Sequence, residues 1–454
     1  MPGPGRSIRQ SRCIRAVAVA FAFLAVAFPA AAEDLLQVYR DAQRYDAVYT
    51  GARYSLDAGR ERIPQARALL LPSLNVTASA ASVRIEQEST NELLAPPFVR
   101  SPTTRAYTFS LSQPVYRPQN FAQYQQADWQ VRVAEATFGQ AAQDLALRVA
   151  QAYFEIQGAQ DTLGLVGAQK AAISEQLAQA KRNFEVGTAT ITDTHEAQAR
   201  YDLIVAQEIV AQNDLENKRR ALQAITGKEY QQLKPLRYDV RMSQPEPADM
   251  QSWVEIAEKQ AYPVIAQEGA TEVANLEVKR ASGGHWPTID IVGSYGNVRD
   301  TGSQQSAIGR DITTGQIGLQ LALPLYAGGG LSSREREAAA NYLKARQDLE
   351  NARRTAALNT RQNYLAVING IAQIAALEQA LTSSQSALDS NRLGYEVGVR
   401  INIDVLNAQQ QLFSTRRDLA VARYNTITSH LRLKAAAGSL REEDLEEVNR
   451  ALSL

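Results

Sequence analysis

Apolar residues along this chain recur with two different periods, and the periods alternate in blocks. In four short stretches they fall at every second position: Leu74, Val76 and Ala78; Tyr107, Phe109 and Leu111; Ile289, Ile291 and Tyr295; and Ile317, Leu319, Leu321, Leu323 and Leu325. The residues between them are mostly small or polar, such as Thr108, Ser110, Gly318 and Gln320. This alternation predicts strands with one apolar face over about 72–85, 105–116, 287–297 and 313–325. It does not distinguish a protein core from lipid as the partner of that face. The stretches 121–186 and 331–397 are instead nearly free of Pro and rich in Ala, Gln, Glu, Arg and Leu, which predicts long helices. In the second, Val367, Ile374, Leu381, Leu388 and Tyr395 stand seven apart. The first keeps Ile156, Leu163, Leu177 and Phe184, with Lys170 interrupting. These are coiled-coil seams. About 66 residues at 1.5 Å each make roughly 100 Å of helix. Shorter helices, 192–226 and 403–437, follow Gly187 and Gly398, and helical segments over 33–70 and 249–281 precede the strand pairs. Two short helices end to end match one long one, which predicts a hairpin bundle rather than a globule.

The blocks come twice. Lys181–Gln198 reads KRNFEVGTATITDTHEAQ and Arg392–Gln409 reads RLGYEVGVRINIDVLNAQ, an offset of 211 at which Glu185/Glu396, Gly187/Gly398, Asp193/Asp404 and Gln198/Gln409 coincide. Pro72-Ser73-Leu74 matches Pro287-Thr288-Ile289, and Pro114-Val115-Tyr116 matches Pro324-Leu325-Tyr326. Matches in one order at near-constant offset mean a duplicated unit of about 210 residues. The first repeat spans 33–248 and the second 249–454, ending in a short tail. Four strands are too few to bury their faces against one another or to close a barrel of useful bore. Pooling strands from several chains resolves this.

Residues 1–15 carry Arg6, Arg9, Arg12 and Arg15 and no acid, followed by an apolar run from Ala16 to Phe28 and by Pro29-Ala30-Ala31-Ala32. That pattern is a cleaved export signal over 1–32, too short in its apolar part to span a bilayer. Cleavage lowers 48 bases to 44 against 48 acids and removes Cys13, the single cysteine, so the mature chain has no disulfide and no N-terminal Cys for a lipid. No further run of about 20 apolar residues stands out, and with a mean hydropathy of −0.30 a polytopic helical membrane protein is excluded. A β-barrel is not, because strands facing lipid on one side are half polar. The charge balance gives no general attraction to nucleic acid. His195, His285 and His430 lie far apart without metal-ligand spacing, no nucleophile–base–acid set is present, and no cofactor is implied. Gly328-Gly329-Gly330 lacks the following Lys-Ser/Thr of a phosphate loop and reads as a turn between strand and helix.

The duplication, FEVGTATITDTHEAQ, YEVGVRINIDVLNAQ, GGHWPTIDIVGSYG and LALPLYAGGG together resemble the TolC family of bacterial outer-membrane channel proteins, over essentially the whole mature chain. The resemblance implies a mixed α and β fold: tandem-duplicated helical hairpins forming a trimeric α-barrel across the periplasm, with four strands per chain in a shared 12-stranded outer-membrane β-barrel. A small equatorial domain would come from about 227–248 and 438–454. The implied function is an exit duct for type I protein secretion, tripartite efflux or both. Its implied partners are two further copies of itself, a periplasmic adaptor, an inner-membrane ABC or other transporter, outer-membrane lipid, and a secreted protein or small toxic compounds as cargo.

Residue by residue, the resemblance puts Thr192, Asp193, Tyr395 and Arg400 on a gate network closing the periplasmic end. Arg400 can give an Asp193 carboxylate a charge-assisted hydrogen bond and Tyr395 adds a hydroxyl. The alternative for Asp193 and Asp404 is that they cap the helices after their Gly turns. Asp404 falls on the constricting acidic ring, while Asn407 stands where a second acid would be, leaving one ring per trimer. The loops at 86–104 and 297–312 are polar and should face outside. A trimeric coiled-coil surface structure or adhesin would share the heptads and the export signal, but its strands would gather at one chain end.

Overall fold

A computed structural model of the chain describes residues 33–88, 97–188, 190–237, 240, 242–302, 306 and 308–453, so the export signal read over 1–32 lies outside the described residues. The first helical segment is broken where its sequence offers a cap. Helix α1 (Leu35–Tyr45) stops at Asp46, whose carboxylate accepts from the Tyr49 N–H at 2.7 Å and so starts α2 (Ala47–Arg60). Helix α3 (Arg62–Ala68) leads into β1 (Ser73–Ser82). A short hairpin of β2 (Ile85–Gln87) and β3 (Phe98–Arg100) follows in the stretch read as polar loop, and then β4 (Thr103–Tyr116). Pro118 opens α4 (Pro118–Glu185), 68 residues or about 100 Å, which reverses into α5 (Ile191–Thr226). The second repeat rebuilds this plan. Helix α6 (Met250–Gln260) breaks at Ala261, and Pro263 sits in the first turn of α7 (Tyr262–Ser282). Strands β5 (Thr288–Asp300) and β6 (Arg310–Ala322) precede α8 (Gly330–Glu396), α9 (Asn402–Ala436) and a closing helix, α10 (Glu442–Arg450), in the predicted tail. Strand β5 runs past its predicted end, and β6 starts earlier and stops before Leu323, because their ladder extends from Asp300 with Arg310 at one end to Thr288 with Ala322 at the other.

The four long strands form one antiparallel sheet in the order β1-β4-β5-β6. Register aligns the apolar positions into rows: Leu74, Leu111, Gly293 and Ile317 in one, Val76, Phe109, Tyr295 and Gly315 in the next. The other face reads Asn75, Ser110, Ser294 and Gln316. Within the chain the apolar face has little cover, with Ile317 80% and Leu319 69% exposed. A face this apolar without a core against it is a lipid face. The helices continue the strand order. Above the equator α4 packs on α2 and α3 on one side and α7 on the other, and α7 packs on α8; below it, α4 packs on α5 and α9, and α9 on α8. Barrel therefore runs into bundle without a crossing connection. Arg117, just before α4, clamps the junction by a fork onto Asp290 of β5 (2.5 and 2.7 Å).

The main core is an equatorial belt. Leu35 and Val38 of α1, Leu145, Val149 and Tyr153 of α4, Leu222 of α5, Leu431 of α9 and Leu445 of α10 are all buried there, with Leu233, Leu236 and Leu452 closing it. The Tyr153 hydroxyl donates to the Lys234 carbonyl at 2.7 Å, and burial pushes it up from its ordinary value. The seams behave as the heptads require: Val367, Ile374 and Leu388 are buried, and the interrupting Lys170 reaches Glu208 of α5 at 2.6 Å. One reading needs correction. Helix α8 does contain an 18-residue stretch apolar enough to cross a bilayer, with mean hydropathy 1.3. It belongs to a 67-residue helix, and only 11% of the stretch is buried within one chain.

At the α1/α2 break, Arg148 forks onto Asp46 (2.9 and 3.1 Å). Burial alone would raise the Asp46 carboxyl, but bonds from Arg148 and the Tyr49 and Val48 amides hold it below its ordinary 3.8. The contribution is thus complete above the unfolded value and is lost as pH falls through the folded one. Arg148→Ala, which leaves a buried carboxylate without its cation, should cost about 2–3 kcal/mol in urea unfolding at neutral pH. The gap between parent and variant should narrow on acidification below about pH 4.

Candidate functional site

The two helix reversals lie at one end of the bundle, and both are built the same way. After α4, Gly187 takes φ +78°, its N–H bonds the Phe184 carbonyl at 3.0 Å, and the Thr188 N–H bonds the Asn183 carbonyl at 2.8 Å. After α8, Gly398 takes φ +79°, its N–H bonds the Tyr395 carbonyl at 3.1 Å, and the Val399 N–H bonds the Gly394 carbonyl at 2.8 Å. This is the left-handed Schellman closure, and it accounts for the repeated Val-Gly. Position 394 has a second demand: a Cβ there would come within 2.7 Å of Arg400 Cγ, so Gly394 lets Arg400 fold back across the last turn.

Asp193 is the third residue of α5 and completes a capping box. Its carboxylate accepts from the Thr190 N–H at 2.9 Å, and its own N–H donates to the Thr190 hydroxyl at 3.3 Å. Thr192, beside it, is exposed and makes no part of that cap. Asp404 sits at the same place in α9 without a matching box, because Ile401 precedes the helix. It faces Arg400 instead, at 3.7 Å. Tyr395 packs beside Leu388, Val405 and Leu412, and its hydroxyl accepts from Asn183 Nδ2 at 3.4 Å, joining the two reversals. Among the described residues of one chain, no bond joins Arg400 or Tyr395 to Asp193.

Three participants escaped the sequence reading. Thr190 is the N-cap, three residues before Asp193. Asn183 carries the link to Tyr395. Arg200 of α5 reaches across to α9, donating to Gln410 Oε1 at 2.7 Å and Asn407 Oδ1 at 3.0 Å. An S/T-x-x-D pattern marks Thr190 in the sequence, but nothing marks the other two. Beneath these polar bonds, Ile173, Ile204 and Leu406 form a small apolar cluster that seats one hairpin on the other. At the very tips, Val186, Val397, Val399 and Ile401 are 62–78% exposed.

A family model described as outer membrane efflux protein matches residues 50–228 and again 253–439. The chain belongs to the outer membrane efflux protein family. The double match follows the internal duplication. The chain is 34% identical to outer membrane protein TolC of Vibrio cholerae over 93% of its length and 94% of that protein's. It is 31% identical to the proteases secretion protein PrtF of Dickeya chrysanthemi, over 92% of this chain and 91% of that one. In fold it is similar to the Campylobacter jejuni CmeC outer membrane channel, with a TM-score of 0.77, 17% identity, and 93% and 90% of the two chains covered. Family members of this kind are outer-membrane ducts that reach into the periplasm, and the uncovered apolar sheet face fits that placement. The reversals then form the periplasmic end.

Gly398→Ala would hold a side chain at φ +79°, costing about 1–2 kcal/mol. The expected outcome is faster limited proteolysis within Val397–Arg400, with the Gly187 reversal and the barrel unchanged in the fragment pattern.

Proposed function

We propose that this outer-membrane exit duct works as a homotrimer whose periplasmic mouth is held shut by weak contacts at the helix reversals. The observation that carries the reading is the four-stranded sheet with β1 and β6 as open edges, exposed along their whole length. Strand directions alternate across the sheet, so β6 of one copy meets β1 of the next antiparallel, and three copies give 12 strands, a bore wider than side chains alone fill. The apolar stretch of α8 supports the same assembly, since only 11% of it is buried within one chain.

In the trimer, Arg400 and Tyr395 of one copy face Thr192 and Asp193 of a neighbour across the mouth. An Arg–carboxylate pair at a wet site contributes on the order of 1 kcal/mol or less and weakens with salt. Three copies of it hold the mouth closed yet can be broken by a docking partner. The exposed valines and Ile401 at the tips suit a periplasmic adaptor of matching apolar surface, behind which stands an inner-membrane ABC or other transporter. Cargo is a secreted protein or small toxic compounds; the secretion names of relatives such as PrtF support the first. Asp404 lines the constriction as a ring of three carboxylates.

A trimer by native mass measurement in detergent is expected, with the mature chain beginning at residue 33; a stable monomer would overturn the assembly. For the gate, Arg400→Ser with Tyr395→Phe should raise single-channel conductance severalfold and sensitise cells to large antibiotics. Thermal stability should barely move, because Phe keeps the Tyr395 ring in its seam beside Leu388, Val405 and Leu412 and the belt is untouched. Trimers that conduct like the parent would place closure elsewhere.

A further inference from the structure

Arg200 is the one cation at the two reversals whose bonds in the described structure all go to neutral groups. Its Nη1 and Nη2 donate to the amide oxygens of Gln410 and Asn407. Other cations of the lower bundle do meet acids, Lys170 with Glu208, Lys218 with Glu155 and Arg400 with Asp404, while Arg416, further along α9, donates to Gln385. Glu196 lies one turn back on α5, yet among the described residues no carboxylate comes within ion-pair distance of Arg200. Amide oxygens fix the direction of a guanidinium without cancelling its charge.

The seat is built. Tyr201 and Ile204, which follow Arg200 on α5, pack with Ile173, Ile403 and Leu406 and hold this part of α5 against α9. Asn407 lies three residues after Asp404 and therefore on the same face of α9. Arg400 stands on the other side of Asp404. Within one chain Asp404 has Arg400 at 3.7 Å, but in the closed trimer proposed above Arg400 turns to the neighbour's Asp193, which leaves Arg200, held at Asn407 and Gln410 further along the same helix, as the cation beside the ring.

We infer that Arg200 is a specificity-determining residue of the duct: it offsets the Asp404 ring, so that the constriction admits anions as readily as cations. The inference rests on the proposed place of Asp404 at the constriction. It also changes what an acid at 407 would do. A new carboxylate there would pair with Arg200 rather than add to the ring, so the selectivity of positions 200 and 407 is coupled.

The test is the reversal potential of trimers in planar bilayers under a KCl gradient, for the parent, D404A, R200Q, R200K, N407D and R200Q/N407D. Gln keeps a hydrogen-bonding amide and removes the charge; Lys keeps the charge and loses the fork. Expected is a rise of roughly threefold in the K⁺/Cl⁻ permeability ratio for R200Q, set by a unit charge per copy acting across a screened pore. R200K should match the parent. N407D alone should shift the ratio little, and N407D added to R200Q should shift it clearly further. An R200Q channel with the parent's ratio while D404A shifts overturns the role of Arg200 and leaves the constriction reading in place. An equal effect of N407D with and without Arg200 likewise overturns it. A shift in R200Q with none in D404A overturns the offset, because the Arg200 charge then acts where no Asp404 ring is sensed. No shift in either overturns both.

Discussion

A strand edge inside a bilayer leaves backbone N–H and C=O groups with no water to bond, at several kcal/mol for each group. In this chain β1 and β6 are two such edges on one four-stranded sheet, and the sheet's apolar face has no protein against it. The rest of the structure follows from satisfying them. In the trimer proposed above the sheet closes with copies of itself in lipid, and the helices, which leave it in the same lateral order as the strands, close into a second ring below. Arg117 and Asp290 transmit the geometry from one to the other by tying the start of α4 in the first repeat to a strand of the second.

Stability is distributed unevenly along that axis. At the equator, aromatic and aliphatic side chains from α1, α4, α5, α9 and α10 are fully buried, each worth about 1.5–3 kcal/mol. The segment after α5 and the chain's end are laced into this belt by bridges of Glu33 with Leu233 and of Leu236 with Leu452. Towards the reversals the cores shrink to clusters of three residues, and the polar links are long or exposed: 3.4 Å from Asn183 to Tyr395 and 3.7 Å from Arg400 to Asp404. A firm belt with a loosely held end is what a duct needs if its mouth opens while its trunk stays assembled.

Much of this was legible in the residues. Alternation located the four long strands, heptads located α4 and α8, and the repeated Val-Gly marked both reversals, because a left-handed closure admits little else at that position. The capping alternative for Asp193 was also readable, and within one chain that is the bond it makes. The β2–β3 hairpin was not, since three residues a side carry no period. Nor were Asn183, Arg200 and Gln410, which are unremarkable polar residues on helices rich in them. The same holds for Lys170, which interrupts a seam on paper and pairs with Glu208 in space.

The sequence by itself determined the elements, their duplication and the apolar face of each strand, because these depend on residues a few positions apart whose spacing is the helix or strand period. Only the tertiary structure decided which polar groups meet. Asp193 and Asp404 are equivalent under the repeat, yet one completes a cap and the other faces an arginine. The difference lies in Thr190 against Ile401 before the helix, and in Gly394 making room for Arg400. Likewise the charge beside Asn407 comes from a residue some 200 positions earlier, which no local pattern could place there.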